Sequence, residues 1–474
     1  MDSPISITVV GSGYVGLVAA VCFAEIGHRV ICVDNDEAKV AALCAGRVPI
    51  HEDYLPELLK RHGGRGVEFT TDLAGATRAS DLVFIAVGTP QGKTGSADLS
   101  YVDAVASEIA RSIEKYTVIV EKSTVPVYTN EWIRRVMARN GVPHELFDVA
   151  SNPEFLREGT AVKDFLHADR IVIGTDEERA TQLLRGVYAP ITSGRYFEQE
   201  SAIPGMRNLQ SPVPLLETST KAAELIKHAS NAFLAMKISF INVVANICES
   251  VGADVKQVSQ GMGSDTRIGP RFLEAGIGYG GSCFPKDVAA FRYVAEQMGI
   301  DFGLLAEVEK VNVEQQSHFF QKVRSALWTF RGKRIGVLGL AFKGGTDDVR
   351  DSPALGVVRQ LLHEGATVVA YDPAAMERTA DQIPSAANMI YAQSAYEAAE
   401  DADALLVLTD WQEFKELDLE RLRYLLRYPI VIDGRNLYSL EQMEQYGFNY
   451  LSVGRSAVPQ MRDLGTLAAG RKLS

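Results

Sequence analysis

Ten consecutive residues, Gly278-Tyr279-Gly280-Gly281-Ser282-Cys283-Phe284-Pro285-Lys286-Asp287, set a thiol in a frame of glycines, a proline and a lysine–aspartate pair. Glycines at 278, 280 and 281 admit positive φ and let another backbone or a ligand approach closely. Pro285 suits the first turn of a helix, where its missing N–H costs nothing. Cys283 then stands just ahead of a helix N-terminus, where the dipole and free N–H groups favour a thiolate. Most free cysteines are small buried hydrophobes. That reading suits Cys22, Cys32, Cys44 and Cys248, which lie in apolar runs without a glycine frame. At Cys283 the surroundings favour a nucleophile.

A second constellation opens the chain. The β-rich run 5–10 breaks into Gly11-Ser12-Gly13-Tyr14-Val15-Gly16, a helix-like apolar run follows over 17–26, and a strand over 29–33 ends in Asp34. Strand, G-x-G-x-x-G, helix, strand and acid in this order form the dinucleotide fingerprint: a tight turn at Gly11, backbone access for pyrophosphate at Gly13 and helix packing at Gly16. Asp34 suits a ribose 2′-hydroxyl and would repel a 2′-phosphate, which selects NAD over NADP. Two further strand patterns, 82–87 and 117–120, lead into Thr89 and into Ser123-Thr124-Val125-Pro126. Ligands of doubly wound sheets bind beyond such strand ends, although both residues also read as loop threonines ahead of prolines.

Beyond the strand ending near Ser151 comes Asn152-Pro153-Glu154-Phe155-Leu156-Arg157-Glu158-Gly159. A helix starting after Pro153 would place Glu154 and Glu158 on one face, either solvated or lining a pocket. From 219 to about 251 the apolar residues Leu225, Ile226, Ala229, Phe233, Met236, Phe240, Val244 and Ile247 follow helical spacing. Such a helix is long enough to link two domains and to carry a dimer interface. Lys227 and Asn231 share one of its faces, and Lys227 reads either as a solvent-facing lysine or as an amine beside a reaction centre.

The elements that position these groups belong to a long chain. With 474 residues, two or three domains are expected. A net charge of −12 argues against nucleic acid or an anionic membrane as partner. No apolar run is read as approaching the ~20 residues of a membrane span, and residues 1–6 lack the basic start of a secretory signal. Five cysteines without a C-x-x-C pair and scattered histidines predict neither disulfides nor a metal, and a cytoplasmic location. A second α/β unit begins with the strand 333–338. Its helix starts at Ser352-Pro353 and stops at Gly365, the strand 367–371 ends in Asp372, and strands follow at 405–408 and 430–432. It lacks a full G-x-G-x-x-G and reads as a holder of a different nucleotide. Lys343, Arg350 and Arg435 would face its phosphates, although each singly also reads as a surface charge. The expected fold is α/β: two Rossmann-like doubly wound domains joined by a long central helix and a helical middle domain, divided as 1–214, 215–328 and 329–474. The region 195–214, rich in proline and polar residues, reads as a linker or surface loop.

An NAD site with a nucleophilic cysteine implies oxidation past the aldehyde: thiolate adds to the aldehyde, the thiohemiacetal is oxidised to a thioester, and water cleaves it. The strings Gly11-Ser12-Gly13, Arg47-Val48-Pro49-Ile50-His51-Glu52 and Phe342-Lys343, with the stretches 151–164, 223–242 and 267–287, resemble the UDP-glucose/GDP-mannose dehydrogenase family over nearly the whole chain. Among its members they look most like those that act on UDP-glucose. The resemblance implies a four-electron oxidation of UDP-glucose to UDP-glucuronate with two NAD. By it Cys283 is the nucleophile, Lys227 and Asp287 handle protons and oxyanions, Asn231 completes the oxyanion site, and Thr124, Glu154 and Glu158 order water for thioester hydrolysis.

It also implies substrate contacts from Glu154, Phe155, Leu156, Lys227, Asn231, Phe272, Tyr279, Gly280, Phe342, Lys343 and Arg435. Arg267 would reach the substrate of a neighbouring subunit, which implies a homodimer or higher homo-oligomer. Cofactor contacts would come from Gly11, Gly13, Tyr14, Val15, Gly16, Asp34, Lys39, Thr89, Thr124, Glu158, Lys286 and Arg350. Two departures stand out. Tyr128 replaces a common glycine after Val125-Pro126-Val127, and the 200–214 stretch is longer than usual. The alternatives are a related dehydrogenase of GDP-mannose or a UDP-N-acetyl sugar, a β-hydroxyacid dehydrogenase that would not need Cys283, and a non-catalytic sensor of NAD or nucleotide sugars.

Overall fold

A computed structural model describes residues 4–92, 95–205 and 212–458. Parts of the glycine-rich loop 91–98, of the 200–214 stretch and of the tail after Gly454 lie outside the described residues. The chain divides into two compact units: one formed by the chain up to Ser230 together with 289–300, the other by 231–288 and the chain from Asp301 on.

The first unit is built on eight strands: β1 (Ser6–Val10), β2 (Arg29–Val33), β3 (Val67–Thr70), β4 (Leu82–Ile85), β5 (Thr117–Glu121), β6 (Phe147–Ser151), β7 (Ile171–Gly174) and β8 (Leu215–Thr218). Their order is β3-β2-β1-β4-β5-β6-β7-β8. The first six are parallel, β7 runs antiparallel to β6, and β8 is parallel to β7. β4 and β5 are buried at every residue, as strands covered on both faces must be, which is why they read as unbroken apolar runs. The helix Tyr14–Glu25 packs into the same core, where Phe23 lies 4.8 Å from Phe84 and 5.2 Å from Phe165 between ring centroids.

The second unit repeats the design with β9 (Arg334–Leu338), β10 (Thr367–Tyr371), β11 (Met389–Tyr391), β12 (Ala404–Val407), β13 (Ile430–Asp433) and β14 (Asn449–Ser452), all parallel, in the order β11-β10-β9-β12-β13-β14. Both sheets therefore carry the doubly wound order 3-2-1-4-5-6. Ser352 precedes the helix Pro353–His363, and Gly365 follows it with φ +87°. The expected α/β fold with two Rossmann-like sheets is borne out. So is the long helix, Thr220–Val251, followed by Val255–Gly263, Phe284–Gln297 and Gly303–Leu327.

Three expectations are corrected. Glu154 and Glu158 do not share a helical face: 152–157 is irregular and leads into a turn. The long helix keeps its apolar spacing, with Phe233, Phe240 and Ile247 more than half exposed. The same helix contains an 18-residue window with mean hydropathy 1.4, long and apolar enough by composition to cross a membrane. Its buried positions include polar residues with protein partners: Asn242 accepts from the Gly276 N–H at 2.9 Å, and Ser239 donates to the Val308 carbonyl at 2.9 Å. Finally, Cys44 is exposed rather than buried. It ends a short helix, Glu37–Cys44, with only one fully buried residue, Leu43.

Tyr128 shows why glycine is the common residue there. Its φ is +78°, a left-handed backbone that side chains adopt at a cost of about 1–3 kcal/mol. Glu224 accepts from its N–H at 2.9 Å, and Lys221 lies 5.1 Å from its ring. Tyr128→Gly should raise the thermal unfolding midpoint, with a net gain of about 1 kcal/mol once the exposed cation–π contact is lost. A lowered midpoint would show that the ring contact outweighs the strain.

Candidate active site

In the first unit the β1 end is shaped by close approach. A Cβ added to Gly11, whose φ is +100°, would come within 2.5 Å of the Ala86 carbonyl, and one added to Gly16 within 1.8 Å of the Gly11 carbonyl. Gly13, directly before the helix Tyr14–Glu25, has nothing within 4 Å of such an atom. Two glycines are thus spent on packing and the middle one is left open. That is the cradle a pyrophosphate needs at a helix N-terminus, with Tyr14 and Val15 in its first turn.

Asp34 closes the other side of this turn. Its Oδ2 accepts from the Ser12 N–H at 2.8 Å, the Ser12 hydroxyl at 2.6 Å and Lys39 Nζ at 3.1 Å, while Oδ1 accepts from the Asp36 N–H at 3.1 Å. Burial pushes its pKa up, but the hydrogen bonds from Ser12, Asp36 and Lys39 outweigh it and hold the carboxyl below its usual range. A fixed negative charge here fits an NAD ribose and opposes a 2′-phosphate. Apposed like charges cost several kcal/mol, so kcat/KM should favour NAD over NADP by about a hundredfold or more. Asp34→Ala should narrow that gap, and equal efficiency of the two cofactors with the native protein would refute the role.

Further along the same edge, the Thr89 hydroxyl donates to the Thr124 carbonyl at 2.9 Å, so the structure brings these two loops together. Lys227 is not solvent-facing. Its ammonium pairs with Glu154 Oε1 at 2.8 Å, each side chain is 5% exposed, and the Phe155 ring lies 5.5 Å away. Glu154 Oε2 accepts from the Leu156 N–H at 2.5 Å, a local bond that competes with the helix expected here. Half-buried Glu158 sits in the following turn, whose Gly159 N–H is held by Glu52 at 2.7 Å. Burial is the largest cause of the rise in the Glu52 pKa to about 7. Lys122, beneath this cluster, donates to Asn152 Oδ1 at 2.9 Å. Its pKa falls to about 8 because burial outweighs the pull of Glu154.

In the second unit Cys283 directly precedes the helix Phe284–Gln297, and its carbonyl accepts the first helical bond from the Asp287 N–H at 2.9 Å. The thiol is half-buried, 3.5 Å from the Ser282 hydroxyl. Asp287, 1% exposed, accepts from Asn231 Nδ2 at 2.6 Å and from Lys286 Nζ at 2.6 Å. The glycine frame serves protein contacts. Gly278 has φ +104° and lies under Asn312, which clamps Tyr279 by accepting from its N–H at 2.8 Å and donating to its carbonyl at 3.0 Å. A Cβ on Gly280 would meet the Asp351 carbonyl at 2.1 Å, and one on Gly281 would meet the Phe342 ring at 2.7 Å. The cysteine loop is thereby fixed from several sides.

The expected substrate residues of this unit fall into two groups. Arg435 points its guanidinium inward, donating to the carbonyls of Leu408 at 2.9 Å, Phe342 at 2.9 Å and Gly278 at 3.4 Å, so it ties the Phe342 loop to the cysteine loop. Phe272, held at φ +64°, and Tyr279 set their rings edge-on to Phe284 at 6.2 and 5.8 Å. Arg350 is gripped by Asp348 and Arg267 by Asp265, the latter with a side chain 86% exposed. Lys343 lies 5.6 Å from the Phe342 ring. Sequence reasoning missed the supports: Glu52, Lys122, Asn152, Glu224, His228 and Asn312. A readable signal existed for Asn312, a polar residue at an inward position of a long amphipathic helix.

Comparison with known proteins agrees with this geometry. Profiles of the UDP-glucose/GDP-mannose dehydrogenase family match the chain in three parts: the NAD binding domain over residues 5–192, the central domain over 221–314 and the UDP binding domain over 336–440. UDP-glucose 6-dehydrogenase TuaD of Bacillus subtilis is 45% identical over 458 residues, covering 95% of this chain and 94% of that protein. UDP-glucose 6-dehydrogenase of Rhizobium meliloti is 46% identical over 454 residues, covering 95% and 99%. A solved UDP-glucose dehydrogenase from the hyperthermophilic archaeon Pyrobaculum islandicum superimposes with a TM-score of 0.84 at 38% identity, covering 96% of this chain and 99% of that one. An open glycine cradle with a ribose-selecting carboxylate, a thiol at a helix start and full-length similarity converge: the chain belongs to the UDP-glucose/GDP-mannose dehydrogenase family.

Proposed function

We propose that the chain oxidises the C6 alcohol of UDP-glucose to the carboxylate of UDP-glucuronate, with Cys283 carrying the acyl group between the two oxidations. It is an NAD-dependent oxidoreductase with a nucleotide-sugar substrate. When bound, NAD supplies a two-electron acceptor for each oxidation. The chain's residues do the rest. Cys283 adds to the aldehyde carbon to give a thiohemiacetal, which on oxidation becomes a thioester. Water then attacks that carbonyl, its oxygen stays in the carboxylate, and the thiol leaves. Asp287 takes protons and is oriented by Asn231. Lys227 stabilises oxyanions while Glu154 balances its buried charge, and Thr124 and Glu158 order water. The carrying observation is the thiol at the start of a helix whose first turn holds a buried carboxylate pinned by Asn231 and Lys286.

Three further readings go with this. The exposed apolar residues Phe233, Phe240, Val243, Ile247 and Val251 of the long helix keep spacings of seven, three, four and four that suit packing against a second copy. Such a homodimer would let exposed Arg267 reach a neighbouring site. A working thiol is kept by a reducing compartment, which supports a cytoplasmic location. We keep 1–214, 215–328 and 329–474 as a division by role: cofactor, linkage with thiol, and nucleotide sugar.

The test is NADH released per sugar across a panel of nucleotide sugars. About two NADH per UDP-glucose, weak activity on UDP-galactose and almost none on GDP-mannose are expected, since a mispaired base discriminates by up to ~10⁴. A preference for GDP-mannose would move the substrate and leave the thiol chemistry. One NADH per sugar would remove the thioester.

A further inference from the structure

The last residue of β5, Glu121, is fully buried at the root of the loop that carries Thr124. Its Oε1 accepts from the Ser123 N–H at 2.7 Å, whereas Oε2 is buried without a hydrogen-bond partner among the described residues. The loop is otherwise gripped from outside: Thr89 holds the Thr124 carbonyl, and His228 Nε2 donates to the Val125 carbonyl at 2.7 Å. Glu224 accepts from the Tyr128 N–H, the Asn130 N–H and Asn130 Nδ2 at 2.9, 3.0 and 2.6 Å. Two carboxyls thus hold the two ends of one loop, with Glu224 acting on Glu121 as a like charge.

We propose that Glu121 is a positioning residue for Thr124 that secures the loop only while its carboxyl is protonated. Ionised, it would hold a fully buried charge beside Glu224, with Oε2 making no hydrogen bond among the described residues and only the Ser123 and Lys122 donors of the loop to answer it. The other charged groups nearby are committed elsewhere: Lys122 turns its ammonium to Asn152, and Glu131, on the helix Thr129–Arg139, pairs with Lys221 and adds to the negative field at Glu224. Burial, then the nearby Glu224, raise the Glu121 pKa from 4.5 to about 8 against the pull of Ser123, so the proton is held at neutral pH. The sign is that of a raised carboxyl: its contribution to stability is fully present below about 4.5 and is lost as pH climbs through about 8.

The proposal rests on the reading that Thr124 takes part in the reaction, and its test separates the two. Amide hydrogen exchange of the 123–130 segment, corrected for intrinsic rate, and kcat are followed for the native enzyme and Glu121→Gln on both sides of the transition. The native loop should lose protection, and kcat should fall about tenfold per pH unit above the pKa. Glu121→Gln, which cannot ionise, should keep its protection, and its kcat at neutral pH should stay within about twofold of native because Glu121 is uncharged there. A native loop equally protected on both sides, or a variant that loses protection as the native does, overturns the proposal. Loss of protection without loss of kcat supports it and removes Thr124 from the reaction. Should Glu121→Gln not fold, Glu224→Gln must shift the native transition to lower pH, because a like charge has been removed; an unmoved transition is fatal.

Discussion

Cys283→Ser should lower steady-state NADH formation from UDP-glucose by a factor of ~10³ or more. The second oxidation needs an adduct whose acyl form water can cleave quickly, and a hydroxyl is a far weaker nucleophile than a thiolate at neutral pH. Structure strengthens the expectation, because the thiol stands at the start of a helix and is backed by the buried Asp287. Undiminished turnover in the serine variant would end the nucleophile role. A thiol alkylator gives an independent measurement. Mass mapping should find both Cys283 and exposed Cys44 labelled, while Cys22, Cys32 and Cys248 stay buried. Bound UDP-glucose should protect Cys283 alone, and activity should follow its labelling.

The Lys227–Glu154 pair supplies the second large effect. Removing one partner of a buried pair leaves the other charge uncompensated, so Lys227→Met should destabilise the fold by about 3–5 kcal/mol and abolish most activity. Adding Glu154→Gln to Lys227→Met should recover part of the stability, since the lone carboxylate is gone although buried Lys122 loses the pull of Glu154, while kcat stays low. Thermal unfolding and steady-state kinetics on the four proteins of this cycle separate the contributions. Recovery of activity together with stability would mean that the pair is structural and that Lys227 has no part in the reaction.

What could be read in the sequence follows the range of the interactions responsible. β1, β4, β5 and β9 announce themselves as apolar runs because both their faces are covered, and the glycine fingerprint is legible because each glycine answers a local demand. Short or half-exposed strands such as β3 and β14 carry no such run. The error at Glu154 and Glu158 is one of competition: Pro153 and the carboxylate-to-Leu156 bond outbid helical spacing. The supports other than Asn312 were invisible for a different reason. Glu52 acts on Gly159 and Glu224 on Tyr128, partners that meet only once the chain has folded. The cysteine loop was recognised by its glycines: another backbone, one of the two approaching groups expected, is found at Gly280 as the Asp351 carbonyl, whereas at Gly281 it is a side chain, the Phe342 ring, that comes close.

The make-up of the first unit bears on how the chain is made. Residues 289–300 belong to it, with Phe291 stacked 5.9 Å from His228, yet the 58 residues 231–288 that intervene belong to the second unit. A ribosome adding ~5–20 residues per second needs roughly 3–12 s after Ser230 to reach the first residue of that missing piece. During that interval the first unit has all its strands but not its final strap. Folding during synthesis is therefore interleaved rather than sequential. A gene fragment ending at 214 or 230 would encode an unfinished body, so any excised cofactor unit must bring 289–300 with it.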